Sequence, residues 1–345
     1  MKQFFSILLV LIVASVSFAQ NDLQPAAIVR LTKSEPITVK QLRTEVERME
    51  KTTGRTLTAA EKRQVLDVMI NEKLAIQAAE RDKITVSDAE INQQIQQLRA
   101  GMVQSIGRQP TDAEFALAVK NETGLDVPAF RDMLRKQALT QKYLMSKKQD
   151  IFSSVKPPTE EEILNTYNLS QAEFVRPQTV RFSYIQVSFG NPSDKVKAKE
   201  TIDRLAREMS GDPAKFDEIA VRSQTPNSGY QGGDGGYLPR NRQAAQRVGD
   251  EFINIAFSLK QGEVSKVIEG PRGYQIIKIT ETYSMKPLEL TDIAQLGSRL
   301  TVRDYIGNVL LQQKQAAIVE KASQELVAEL RTGSPFQIIE SNINW

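Results

Sequence analysis

Thr179-Val-Arg-Phe-Ser-Tyr-Ile-Gln-Val-Ser188 and Gly273-Tyr-Gln-Ile-Ile-Lys-Ile-Thr-Glu-Thr282 decide the fold. Both alternate apolar and polar residues with the period of a half-buried strand. Between them lie helical patterns over 194–209 and 216–221, a glycine cluster over 229–236, and a further helical pattern over 250–259. The order strand, helices, glycine loop, helix, strand is that of an α+β module. The glycine cluster is not a phosphate loop: no Gly-x-x-x-x-Gly-Lys-Ser/Thr pattern exists, and no strand–loop–helix context surrounds it.

Outside this module the pattern is helical. Thr58-Ala-Ala-Glu61, Ser87-Asp-Ala-Glu90, Thr111-Asp-Ala-Glu114 and Thr159-Glu-Glu-Glu162 each place a hydroxyl three residues ahead of a carboxylate, the signature of a helix start. The first of these helices carries Leu66, Ile70, Leu74 and Ala78 on one face, and the second Ile91, Ile95 and Leu98. Asp126, with Pro128 in the first turn, opens another carrying Phe130, Leu134 and Ala138. Ahead of them, 26–32 reads as a strand followed by Pro36 and a turn. After Pro287 the spacing predicts renewed helix, with Ile293, Leu296 and Leu300 on one face, continuing through Leu326 and Leu330 to Gly333 and Pro335. Phe336-Gln-Ile-Ile reads as a last strand. The expected organisation is a helical domain built from residues 20–176 and 284–345, with an α+β module at 177–283 inserted between its halves. Separate halves would leave long amphipathic faces exposed, so they are expected to pack together.

The first residues read as an export signal: Lys2, an apolar run over 4–16, then Ser17 and Ala19 at peptidase spacing. Cleavage near Ala19 is expected, because the run is too short for a comfortable membrane span and no cysteine exists for lipid attachment. The remainder is expected to be soluble in the periplasm. Composition excludes much else. The chain has 345 residues with neither cysteine nor histidine, so disulfides, thiol nucleophiles, Cys/His metal sites and histidine bases are ruled out. Forty-five basic against 42 acidic residues give no electrostatic case for nucleic acid. No metal or cofactor is expected.

The central module resembles the parvulin family of peptidyl-prolyl isomerases. The likeness lies in Phe182-Ser-Tyr-Ile-Gln-Val187, Phe216-Asp-Glu-Ile-Ala220, Gly232-Gly-Asp-Gly-Gly-Tyr-Leu238, Glu251-Phe-Ile-Asn-Ile-Ala-Phe-Ser-Leu259, Lys260-Gln-Gly-Glu-Val-Ser265 and Gly273-Tyr-Gln-Ile-Ile-Lys-Ile279, in family order. The flanks resemble the split chaperone domain of exported parvulins of the SurA and PrsA type. The resemblance implies a chaperone for unfolded exported polypeptides, outer-membrane proteins among them as candidate clients. Two alternatives stay open: an active prolyl isomerase, and a non-catalytic scaffold with one partner.

The resemblance also marks the candidate site. The family's two pocket histidines fall at Tyr184 and Gln275, its cysteine-or-aspartate position at Thr225, its hydroxyl position at Arg272, and its groove glutamine near Gly249. The proline-gripping aromatic is kept as Phe252, with Val248 and Phe257 beside it. Tyr184, Gln275 and Thr225 could form a hydrogen-bonded catalytic cluster or merely satisfy each other in a structural core, and the second is the expectation. Arg240, Arg242 and Arg247 read as a basic surface loop next to the groove.

Overall fold

The computed structural model describes residues 22–345 apart from 210, 211 and 272, so the expected signal at 1–19 and the candidate Arg272 lie outside the described residues. The chain begins with β1 (Pro25–Val29) and β2 (Glu35–Thr38), which pair antiparallel. The turn expected at Pro36 is thus a strand. It lies at a sheet edge, where proline's missing N–H removes no ladder bond. α1 (Val39–Thr53), α2 (Ala59–Arg81), α3 (Asp88–Ile106) and α4 (Asp112–Thr123) start at Thr38, Thr58, Ser87 and Thr111. Each hydroxyl accepts the third residue's backbone N–H, and that residue's side chain accepts the cap's own N–H. The Thr38 box, closed by Gln41, adds to those read from sequence. α5 (Val127–Lys147) is capped by Asp126, and α6 (Gln149–Ser153) follows.

Leu66, Ile70, Leu74 and Ala78 are fully buried and form one core with Val29, Ile37, Leu42 and Val46. α3, α4 and α5 share a second cluster, in which Phe115 meets Phe130 edge-on at 6.5 Å. Leu98, expected on the buried face with Ile91 and Ile95, is instead 46% exposed. One polar side chain sits inside the first core. Gln77, with no exposure, accepts the backbone N–H groups of Leu31 and Thr32 at 3.1 Å each. Its amide donates to the Lys33 carbonyl at 3.1 Å and the Glu35 carboxylate at 3.3 Å. It therefore holds the β1–β2 turn on α2 with its hydrogen-bonding capacity filled.

The middle of the chain runs α7 (Glu160–Leu169), β3 (Val175–Arg176), β4 (Thr179–Ser188), α8 (Pro192–Met209), α9 (Pro213–Arg222), β5 (Gln231–Pro239), α10 (Arg242–Val248), α11 (Asp250–Ser258), β6 (Ile268–Gly270), β7 (Gly273–Tyr283), β8 (Lys286–Pro287) and α12 (Val302–Arg331). The main sheet has the order β5-β4-β7-β6, all antiparallel. Its glycine-rich segment, expected to be a loop, is the edge strand β5. Helix expected around Ile293 and Leu300 is also absent. The chain doubles back there, with a turn from Gln295 to Ser298 and an isolated Ile293–Thr301 bridge, and helix begins only at Val302.

The chain separates into two compact units, one holding residues up to Lys156 plus Lys314–Trp345, the other Pro157–Gln313. In the first, β9 (Phe336–Ile338) pairs antiparallel with β1, completing the order β2-β1-β9. Leu326 and Leu330 enter the core of Leu66 and Ile70. Arg331 bonds Asp67 at 2.6 Å and Asn71 at 2.7 Å, and the mostly buried Lys148 reaches Glu329 at 2.5 Å. The two ends of the chain thus build one helical domain, with the α+β module inserted between them. Trp345, the only tryptophan, has Arg43 and Lys62 over its ring at 4.8 and 4.6 Å, within this unit.

The capping carboxylates are expected to make this architecture sensitive to acid. Arg55 and the Thr58 cap hold Glu61 at a pKa of about 2, Lys142 and the Ser87 cap do so for Glu90, and Arg108 and the Thr111 cap for Glu114. Each is depressed from an ordinary 4.5, so its stabilisation is complete above that value and is lost as pH falls toward 2. With no histidine to titrate, the urea midpoint is expected to stay flat from pH 5 to 8 and fall steadily below about pH 4.5. A midpoint that changes across pH 6–7 would contradict this.

Candidate functional site

The main sheet is covered on both faces. Ile185, Val187, Tyr274 and Ile276 point toward α8 and α9, where Ile202, Leu205, Phe216 and Ile219 close a core. Val180, Phe182, Ile277 and Ile279 point the other way, toward Ala244 of α10 and Phe252, Ile253 and Ala256 of α11. The period-2 alternation of β4 and β7 creates these two faces, and Tyr184 and Gln275 fall on the second.

On that face Tyr184 stands opposite Gly233 on one side and Ile277 on the other, while Gln186 stands opposite Gln275. Tyr184 packs half-buried against the Phe182–Phe252 core. Its hydroxyl has no hydrogen-bond partner among the described residues. The Gln275 amide donates to the Gln186 side-chain oxygen at 3.3 Å, and the Gln186 amide donates to the Ser188 hydroxyl at 2.9 Å. The expected cluster of Tyr184, Gln275 and Thr225 is therefore not joined by hydrogen bonds. Thr225 lies exposed past the end of α9, where its hydroxyl donates to the Arg222 carbonyl at 2.7 Å and closes a local turn. Ser223 lies closer to the sheet: its hydroxyl donates to the Ala220 carbonyl at 2.6 Å and stands 3.3 Å from that of Gly232.

The aromatic residues are placed more tightly. Phe252 is buried, with its ring edge-on to Phe182 at 5.5 Å. Val248 and Phe257 flank it, half-buried on the same core. Gly235 faces Phe182 so closely that a Cβ there would fall 2.3 Å from the ring, so a glycine at this position lets β5 lie against Phe182. Asp234, amid those glycines, is held by Arg181 at 2.6 Å and by the Gly236 N–H at 2.8 Å, which keep its carboxyl below the usual range. Gly249 joins α10 to α11 with φ 92° and ψ 149°, a conformation that side chains rarely adopt. The break between the helices thus excludes a glutamine there. The arginines expected on a loop sit beside and on α10, whose start Asn241 caps.

Two family descriptions match the chain: "PPIC-type PPIASE domain" over residues 158–295 and "SurA-like N-terminal domain" over residues 1–144. The chain is a SurA/PrsA-like protein with one parvulin-type domain. The foldase protein PrsA of Clostridium botulinum (strain Hall) is 24% identical over 297 residues, covering 84% of this chain and 77% of that protein. The chaperone SurA of Saccharophagus degradans is 28% identical over 223 residues, 64% of this chain and 48% of that one. Among solved structures, one from the work on the SurA-like chaperones PEB4 and Cj1289 of Campylobacter jejuni covers 92% of this chain at 15% identity and a TM-score of 0.40. PrsA from Bacillus subtilis covers 89% at 24% identity and 0.27. Superpositions this loose carry no part of the argument. In this SurA/PrsA-like chain, the face of the parvulin domain that carries the Phe182–Phe252 pair also carries a tyrosine whose hydroxyl has no partner among the described residues and a glutamine bound to its neighbour. No group of carboxylates among the described residues is placed to hold a metal, and no described helix is long and apolar enough to cross a membrane.

Proposed function

We propose that the protein is an exported holding chaperone for unfolded polypeptides, working in a periplasm-type compartment, whose parvulin domain binds peptide but isomerises prolyl bonds weakly or not at all. The kinship with SurA and PrsA proteins supports the chaperone role, and the export signal read from sequence supports the location. Outer-membrane proteins are candidate clients. The weak-isomerase reading rests on one observation: Gln275 is committed to Gln186 while the Tyr184 hydroxyl meets no partner among the described residues. Isomerisation crosses a barrier of ~18–20 kcal/mol set by amide resonance, and an enzyme lowers it by binding the twisted amide better than the planar one. That demands groups fixed in concert, and Tyr184, Gln275 and Thr225 have no hydrogen bond in common. On this reading Phe252, Val248 and Phe257 form an apolar peptide floor.

The Phe182–Phe252 pair favours a second reading, an active isomerase in which Phe252 grips the proline ring. Exchange NMR on a panel of short X-Pro peptides separates the two. The whole chain is expected to give no rate above background. A clear acceleration lost in Phe252→Ala would establish the isomerase and assign Tyr184 and Gln275 to it. The chaperone role has its own test, suppression of aggregation of a chemically unfolded client at a one-to-one ratio. No suppression would remove it.

A further inference from the structure

A second feature of the parvulin domain lies on the same face of the main sheet as Tyr184 and Gln275, farther along it. Where β4 begins and β7 ends, a cleft of about 170 Å³ opens beneath the end of α11, lined by Gln178, Val180, Phe257, Leu259, Thr282 and Tyr283 among others. That is below the range of roughly 300–1,000 Å³ typical of small-molecule sites and suits one side chain of an extended segment. Arg240 stands at its rim. Its backbone N–H donates to the Gln178 carbonyl at 2.7 Å and its guanidinium to the Gln178 side-chain oxygen at 3.3 Å. The guanidinium centre lies 5.5 Å from the Phe257 ring. An arginine is usually oriented by a carboxylate, but this one is oriented by an amide and a ring, so its charge is uncompensated. No carboxylate pairs with Arg240, Arg242 or Arg247 among the described residues, and the segment between Pro239 and Gly249 contains no acidic residue.

We propose that this cleft is a subsite for acidic client segments: an apolar side chain enters between Val180, Phe257 and Leu259, and a neighbouring aspartate or glutamate pairs with Arg240. The proposal rests on the reading of the domain as a holder of extended polypeptide and adds the chemistry it selects. A pre-oriented, unpaired cation beside a slot that has Val180, Phe257 and Leu259 on one side and polar groups such as Gln178 and Thr282 on the other recognises an anion flanked by an apolar residue, and not a uniformly apolar or basic stretch.

Two dye-labelled unstructured peptides of the same apolar sequence, one carrying glutamates and the other glutamines, would be titrated with the whole chain by fluorescence anisotropy at about 50 mM salt, where the Debye length still exceeds ~10 Å. The glutamate form is expected to bind about three- to fivefold more tightly, the size of one exposed but well-oriented ion pair. Arg240→Gln should bring the ratio to one without weakening the glutamine form. Phe257→Ala should weaken both, and the double variant Arg242→Gln/Arg247→Gln should keep the preference. Equal binding by the unaltered chain, a preference that survives Arg240→Gln, or no binding of either peptide overturns the proposal. The aggregation assay, run on the same preparations, shows separately whether the chaperone reading stands.

Discussion

Gly235→Val is expected to destabilise the parvulin domain by about 1–3 kcal/mol, the usual effect of forcing atoms into a packed interior. A Cβ at this position would lie 2.3–2.8 Å from ring atoms of Phe182. That ring cannot swing aside, because it packs edge-on against the buried Phe252. Either β5 lifts from the sheet edge or the Phe182–Phe252 pair opens, and both damage the apolar floor of the site. Gly233→Ala, two residues earlier, is the control. Its nearest neighbour is a Tyr184 ring carbon at 3.9 Å, ordinary contact distance, so the change should stay within about 0.5 kcal/mol. Urea unfolding followed by near-ultraviolet circular dichroism of the domain's tyrosines measures both. Equal stability of the two variants would show that β5 does not pack as described.

Gln77→Leu is expected to cost the helical unit about 2–4 kcal/mol. Leucine matches the site's apolar surroundings, so the loss comes from its former partners. The N–H groups of Leu31 and Thr32 and the Lys33 carbonyl would lose their bonds in a turn packed on a buried helix face. Each buried polar group left unpaired costs about 1–3 kcal/mol, partly offset by water reaching an edge turn. Gln77→Glu keeps both acceptor bonds but sets a carboxylate against Glu35, and should fall between the leucine variant and the parent. Trp345 fluorescence is the natural probe, since the lone tryptophan packs within this unit. A leucine variant as stable as the parent would mean that the turn finds other partners.

The helical flanks were legible where local chemistry repeats itself. A hydroxyl followed three residues later by glutamate, then apolar residues on one face, specified α2, α3 and α4 without reference to the rest of the chain. Failure came where the signal was non-local. β5 carries too many glycines to show alternation, and it is a strand because β4 offers it a ladder and Phe182 needs the space. Ile293, Leu296 and Leu300 share a helical spacing, yet the Ile293–Thr301 bridge folds that stretch back on itself. Around the candidate site, sequence placed Phe252 on a helix and Tyr184 and Gln275 on strands. Gln186 was missed, because only strand register shows that it faces Gln275. Thr225 aligned with a family pocket residue but is spent on a local turn, which no alignment can show.

The pairing of β1 with β9 has a consequence for how the polypeptide is born. Val29 must wait for Phe336, so the first strand emerges about 300 residues before its partner. At roughly 5–20 residues per second, that is a delay of about 15–60 s. The parvulin domain, whose own segments are contiguous, can complete itself during that interval. The helical unit closes last, and until then its amino-terminal helices are themselves an unfinished chain with an open sheet edge.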